Sequence, residues 1–166
     1  MAFFRQEYEA DFVVFTGAVY GELITPQILE HDEDIKQIIP EWPKINPSRP
    51  VLGGIDPGSA HPFGAVLAVS TEKGIVWIGE YLERNKPAFE HVRGLERMLR
   101  RDNAGSPWWP SPWAIDRSAK QMAIELWQHS INGERVACQA AENDVVAGIQ
   151  RVSSWLAARR MWFIRA

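Results

Sequence analysis

Four prolines fall within eleven residues, Pro40, Pro43, Pro47 and Pro50. No continuous helix or central strand survives such a run, because each ring removes a backbone donor and fixes φ near −65°. The chain therefore divides near residue 50. Before the break, Phe3 to Phe15 mixes aromatics and acids with no clear period, and Ile24 to Ile39 contains the acidic stretch Glu30 to Asp34. Residues 1–50 read as an arm and linker without an independent fold, and residues 51–166 as the folded unit.

The length suits that division. With 166 residues, 46% of them hydrophobic and 23% charged, the chain has ordinary globular composition and matches one compact domain plus an arm. A chain of this size buries about 70% of the surface its unfolded form exposes, which is enough for a true core. No apolar run approaches the ~18 residues of a membrane span, and Met1 to Asp11 carries scattered charge unlike a secretory leader. The expectation is a soluble, intracellular-type chain with no membrane partner. Cys138 is the only cysteine, which excludes an internal disulfide and a cysteine-based zinc cage. His31, His61, His91 and His129 show no ligand spacing. The net charge of −3 is unevenly spread: residues 1–50 hold 4 basic and 9 acidic groups, residues 51–166 hold 14 basic and 12 acidic groups. No acid follows Asp144, whereas Arg151, Arg159, Arg160 and Arg165 do. A basic face there suits either contacts to a nucleic-acid backbone or plain solvation of a helix.

From Val51 the pattern sharpens. Val51 to Ile55 predicts a buried strand ending at the turn tripeptide Asp56-Pro57-Gly58. Phe63 to Ser70 and Ile75 to Leu82 predict two more strands, joined by the hairpin-length Thr71-Glu72-Lys73-Gly74. Pro87 opens a helix with Phe89, Val92, Leu95 and Leu99 on one face. Beyond a loop rich in proline and tryptophan, Trp113 to Ile115 predicts a short strand ending at Asp116. Ser118 and Gln121 have capping-box spacing for a helix to about Ile131 that buries Met122, Leu126 and Trp127. Arg135 to Gln139 reads as a strand. Asn143 to Arg159 reads as a helix with Val145, Ile149, Val152 and Leu156 on one face, and Met161 to Ile164 as a last strand. The fold class is mixed α/β, a hairpin-rich first half followed by alternating elements.

Asp56 and Asp116 each end a strand. If those strands are neighbours, both carboxylates project from the sheet end at which α/β folds bind ligands. Two close carboxylates repel unless a proton or cation intervenes, and oxygen-only ligation suits Mg²⁺ or Mn²⁺. Taken singly, each has a structural reading: Asp-Pro-Gly is a common turn, and Asp116 suits the free N–H groups of a following helix. The two together favour ligation. Other residues have paired readings as well. Trp108, Trp109 and Trp113 suit a base-stacking surface or a packed rigid loop; Gly58-Ser59 suits a phosphate-binding turn; His61 and Arg117 are candidate contacts to metal or phosphate.

Gly53-Gly54-Ile55-Asp56-Pro57-Gly58, followed by the strand from Phe63, resembles the start of a ribonuclease H-like fold. The chain as a whole resembles the C-terminal nuclease part of the large terminase subunit of tailed bacteriophages. The resemblance runs through Phe4-Arg5-Gln6-Glu7-Tyr8-Glu9-Ala10-Asp11-Phe12, Trp113-Ala114-Ile115-Asp116-Arg117-Ser118-Ala119, and Asn143 to Val152. It implies a ribonuclease H-like mixed sheet flanked by helices, with the arm closing a missing ATPase domain. It implies a two-metal endonuclease of viral genome packaging, acting on concatemeric double-stranded DNA in the cytoplasm of a bacterial host, with the ATPase domain, the small terminase subunit and the portal as partners. Asp56 and Asp116 would be the first two ligands of two Mg²⁺ or Mn²⁺ ions. The family's third carboxylate lies downstream of the strand at Met161, so the resemblance implies an incomplete C-terminal side and a third ligand beyond Ala166. Within the chain, Glu80 and Asp144 are the alternatives. No Gly-x-x-x-x-Gly-Lys-Ser/Thr loop occurs.

Three rival readings stay open. Gly-Ile-Asp-Pro-Gly-Ser also resembles the first phosphate segment of actin-like ATPases and sugar kinases, although these need a second core. Another ribonuclease H-like nuclease, such as a junction resolvase or transposase, shares the strand-end acids. A truncated, non-catalytic piece that docks on a partner protein is the third.

Overall fold

The computed structural model describes residues 20–45, 49–58, 61–100, 110, 112–131, 133–142 and 144–165. Phe4 to Phe12, Pro47, Ser59, Trp108, Trp109 and Asn143 lie outside the described residues. The strands are β1 (Ile28–Leu29), β2 (Val51–Asp56), β3 (Phe63–Thr71), β4 (Gly74–Glu83), β5 (Trp113–Ile115), β6 (Ser130–Ile131), β7 (Glu134–Arg135), β8 (Cys138–Ala140) and β9 (Met161–Ile164). The helices are α1 (Gly21–Ile24), α2 (Asp32–Ile38), α3 (Ala88–Arg100), α4 (Lys120–Trp127) and α5 (Val145–Ala157).

Seven strands form one sheet in the order β1-β9-β4-β3-β2-β5-β8. Only β3 runs antiparallel to its neighbours, so the other six strands share one carboxyl end. The mixed sheet with its flanking helices is the ribonuclease H-like fold.

The hairpin patterns are realised as expected. Strand β3 returns as β4 through Glu72 and Lys73, with Thr71 paired to Gly74. Gly74 takes a φ of 141°, and a Cβ there would sit 2.1 Å from the carbonyl oxygen of Arg160. On one face of the sheet Ile55, Ala65, Leu67, Val69, Val76, Trp113 and Ile115 are buried, together with Val92, Leu95 and Leu99 of α3 and Leu126 of α4. Phe89, expected on the inward face of α3, is exposed, and so is Trp127 of α4. Both stand at helix ends, where the helical stripe runs past the sheet.

Two further expectations are corrected. The stretch Arg135 to Gln139 is not one strand: Glu134–Arg135 pairs antiparallel with Ser130–Ile131, and Cys138–Ala140 joins the main sheet beside β5. Ser118 and Gln121 do not form a capping box. Ala119 caps α4 without a side-chain bond, and the Gln121 side chain donates to Glu125 Oε1 at 2.8 Å. The segment ahead of residue 50 is tied to the sheet: β1 pairs parallel with β9, and Ile35, Ile39 and, within the proline run, Ile45 are buried in the core. Gln27 is buried too and donates to the Leu156 carbonyl at 2.9 Å, which fastens α5 to this edge.

Beside the β3–β4 hairpin, His91 is 3% exposed. It stacks on Phe63 with a centroid separation of 4.0 Å and meets Tyr81 Oη at 3.1 Å. Burial pushes the imidazole below its usual pKa, against the opposing influence of the Lys86 carbonyl and of Glu83 and Glu90. A group whose folded pKa is depressed binds its proton preferentially in the unfolded chain, so stability is constant above the ordinary histidine value and falls as pH drops below it. Unfolding free energy measured by denaturant titration from pH 8 to pH 5 should decline on the acid side by up to about 1.4 kcal/mol per pH unit. In His91→Gln that histidine contribution to the slope should vanish.

At Gly53 a Cβ would sit 2.4 Å from Cε3 of Trp113 and 2.7 Å from Cγ of Pro110. Gly53→Ala should therefore cost about 1–3 kcal/mol of stability by overpacking. A shift of the urea midpoint at unchanged m-value would show it.

Candidate metal-binding cleft

The register decides which side chains meet. Gly54 pairs with Ala114 and Ile55 with Ile115, so the next residues along the two strands, Asp56 and Asp116, stand side by side. Paired residues share a sheet face, and the faces alternate along a strand. Ile55 and Ile115 point into the core; both aspartates belong to the opposite face. Asp56 ends β2, Asp116 directly follows β5, and both strands run toward the shared carboxyl end. Neighbouring strands lie about 4.8 Å apart, so the carboxylates are close neighbours.

Each carboxylate is oriented by a turn of the same kind. Asp56 Oδ1 accepts from the Gly58 backbone N–H at 3.2 Å, and Asp116 Oδ1 from the Ser118 N–H at 2.6 Å. Such aspartate turns bond a side-chain oxygen to the backbone two residues on. Gly58 suits its turn because its φ is 46° and a Cβ would meet the carbonyl oxygens of Pro62 and His61 at 2.4 and 2.5 Å. Asp116 Oδ1 also accepts from the Ser118 hydroxyl.

Both aspartates line an open cleft of about 410 Å³, with Gly54, Gly64, Val66 and Ala114 as its floor and Glu80 and Leu82 along the β4 side. Gly54 and Gly64 leave the floor low beside the carboxylates. Glu80 lies on the same face, one row back, since Val66 pairs with both Gly54 and Glu80. Strand β3 separates it from Asp56. Among the described residues no group of three His, Cys, Asp or Glu side chains converges to hold an ion.

The remaining candidates are elsewhere. Asp144 accepts from the Ala147 N–H at 3.0 Å and caps α5; it does not line the cleft. His61 and Arg117 are exposed and outside the cleft lining. Trp113, the one described tryptophan of the proline-rich loop region, is fully buried and packs on Gly53, which leaves it no face for a base. The bond from Ser118 to Asp116 is the feature that local reading misses. A Ser-x-x-Gln spacing is identical whether the hydroxyl turns forward to a helix or back to a carboxylate.

The donor set fits a hard cation. Two carboxylates in an open cleft match the way Mg²⁺ binds, through one or two carboxylates with retained waters and substrate phosphate oxygens.

Neither a protein-family model nor a curated protein matches this sequence. Solved structures do. The large terminase of a thermophilic bacteriophage, in complex with ADP, superposes with a TM-score of 0.62 at 17% identity, covering 88% of this chain and 33% of that one. The P22 large terminase nuclease domain gives 0.56 at 10% identity, covering 74% of this chain and 64% of that one. The large terminase nuclease domain from bacteriophage SPP1, with bound Mn, gives 0.51 at 14% identity, covering 83% and 70%. This chain therefore has the fold of large terminase nuclease domains, and it spans about a third of the longest of these chains.

No cysteine lines the cleft. Cys138, on β8, is half-buried, and desolvation pushes its pKa up to about 11. The thiolate is the reactive form, so alkylation of the native protein by iodoacetamide at pH 8 should run at least about tenfold slower than in urea.

Proposed function

We propose that this chain is the nuclease part of a large terminase subunit, a divalent-metal-dependent endonuclease that cuts double-stranded DNA during viral genome packaging. Residues 51–166 form the bulk of the nuclease unit in this reading, Ile28–Leu29 adds an edge strand to its sheet, and residues 1–50 are the arm that leads into it from an ATPase domain. The observation that carries it is the β2–β5 register, which sets Asp56 beside Asp116 at the carboxyl end of a sheet whose fold is shared with large terminase nuclease domains. Bound Mn in the SPP1 domain supports a divalent ion.

Asp56 and Asp116 would hold Mg²⁺ or Mn²⁺, with two ions in the full site. Such ions supply a nucleophile at neutral pH and stabilise charge on the attacking and leaving oxygens. The chain's own residues do the positioning. The two turns hold Oδ1 of each aspartate, the low glycine floor lets a phosphodiester approach, and Arg117, adjacent in sequence to Asp116, is the proposed phosphate contact. With two carboxylates and no third acid converging on them among the described residues, the chain is expected to bind the metal weakly and cut slowly. The partners are DNA, the ATPase domain, the small subunit and the portal.

Mn²⁺ titration by calorimetry and nicking of supercoiled plasmid test the reading together. Asp56→Ala and Asp116→Ala should each weaken Mn²⁺ binding by at least about tenfold and remove whatever nicking the parent chain shows. Mn²⁺ binding or nicking that survives both substitutions rules the site out. Absence of Mn²⁺ binding to the parent chain would favour the non-catalytic docking piece.

A further inference from the structure

The start of α4 forgoes a cap its sequence offers. Ser118 stands two residues before Lys120 with the spacing of a capping serine, yet Ala119 occupies the cap position with no side-chain bond. The Ser118 hydroxyl instead turns back to Asp116 Oδ1, the oxygen that already accepts the Ser118 backbone N–H at 2.6 Å. One residue thus supplies two donors to one carboxylate oxygen. In the equivalent turn, Asp56 accepts at 3.2 Å from the backbone of Gly58, a residue with no side chain to add a second donor. The two turns therefore hold their carboxylates unequally, and the Ser118 hydroxyl is what one turn has and the other lacks.

A carboxylate rotates about χ2 over a broad, roughly two-fold range. A backbone turn alone restrains that rotation loosely; a second donor on the same oxygen narrows it and fixes the direction of the other oxygen. Groups that orient a metal ligand in this way typically alter metal affinity by about 10–100-fold when removed. We propose that Ser118 is a positioning residue for the metal site. Its hydroxyl locks Asp116 as the rigid ligand, and Asp56 remains the adjustable one. The inference rests on Asp56 and Asp116 being metal ligands, as proposed above.

The alternative role for Ser118 is structural, and the two roles move different observables. A capping serine replaced by alanine lowers thermal stability. A positioning serine replaced by alanine leaves the melting temperature of the metal-free protein unchanged and weakens the ion. We would measure Mn²⁺ affinity by calorimetry and the metal-free melting temperature for the parent chain, Ser118→Ala and Ser118→Thr. The expected result is about a tenfold loss of Mn²⁺ affinity in Ser118→Ala at unchanged melting temperature, with affinity restored in Ser118→Thr, which keeps the hydroxyl. Parent-like affinity in Ser118→Ala overturns the proposal, as does a fall in affinity matched by a fall in melting temperature, or a threonine variant that behaves like alanine. If the parent chain binds no Mn²⁺, the underlying site falls together with this inference. If the parent binds and Ser118→Ala binds equally, only the inference falls.

Discussion

The indole of Trp113 lies where any side chain on Gly53 would have to be. A Cβ at that position would come within 2.4 Å of the ring, so the bare backbone of β2 is the condition for β5 to lie beside it. This aromatic cover over a strand glycine packs the core side of a strand of only three residues that stands second from the sheet edge. Trp113 is wholly buried in the process. The arrangement of the cleft follows from that contact. It fixes the pairing of Gly54 with Ala114 and of Ile55 with Ile115. A slip of one residue would turn Asp116 toward the core and bring an isoleucine to the surface.

The hairpin half of the fold is legible in the sequence because its signals are local. Strands β2, β3 and β4 carry apolar runs bounded by Asp56-Pro57-Gly58 and by the Thr71 to Gly74 turn, and α3 repeats Val92, Leu95 and Leu99 behind Pro87. What escapes depends on distant partners. Ile28–Leu29 is two residues long and is a strand only because Phe163 and Ile164 lie alongside. Arg135 to Gln139 reads as one strand, but only Val136 among them is buried and no apolar alternation marks where β7 ends and β8 begins. Trp127 has the spacing of a core residue yet extends past the sheet. The two aspartates are legible as strand ends, whereas their adjacency is not, since it requires knowing that β2 and β5 are neighbours.

The cleft's character comes from what the sheet leaves uncovered. Helices α3 and α4 bury one face around Leu67, Leu95 and Leu126. On the other face Leu52, Val66 and Leu82 remain exposed beside Asp56, Glu80 and Asp116. Carboxylates on such a surface are partly deprived of water on the protein side and open to it above. In the proposed reading, that setting would let a cation exchange in from solvent. Glu80 adds negative charge to the same face from across β3, too far back to share a ligand role with Asp56 yet near enough to raise the field over the cleft.

The shortness of β5 carries one more implication. Only two residue pairs join it to β2, while nine join β3 to β4. The sheet is thus a broad, well-laced hairpin with a narrow seam, and the two carboxylates stand on opposite sides of that seam. Fluctuations that part β5 from β2 need break few hydrogen bonds and leave the hairpin intact. The aspartates would then separate in a molecule that is still folded. In the proposed reading a cation bridging them would act as a clasp across this short seam, tying occupancy of the cleft to closure of the seam.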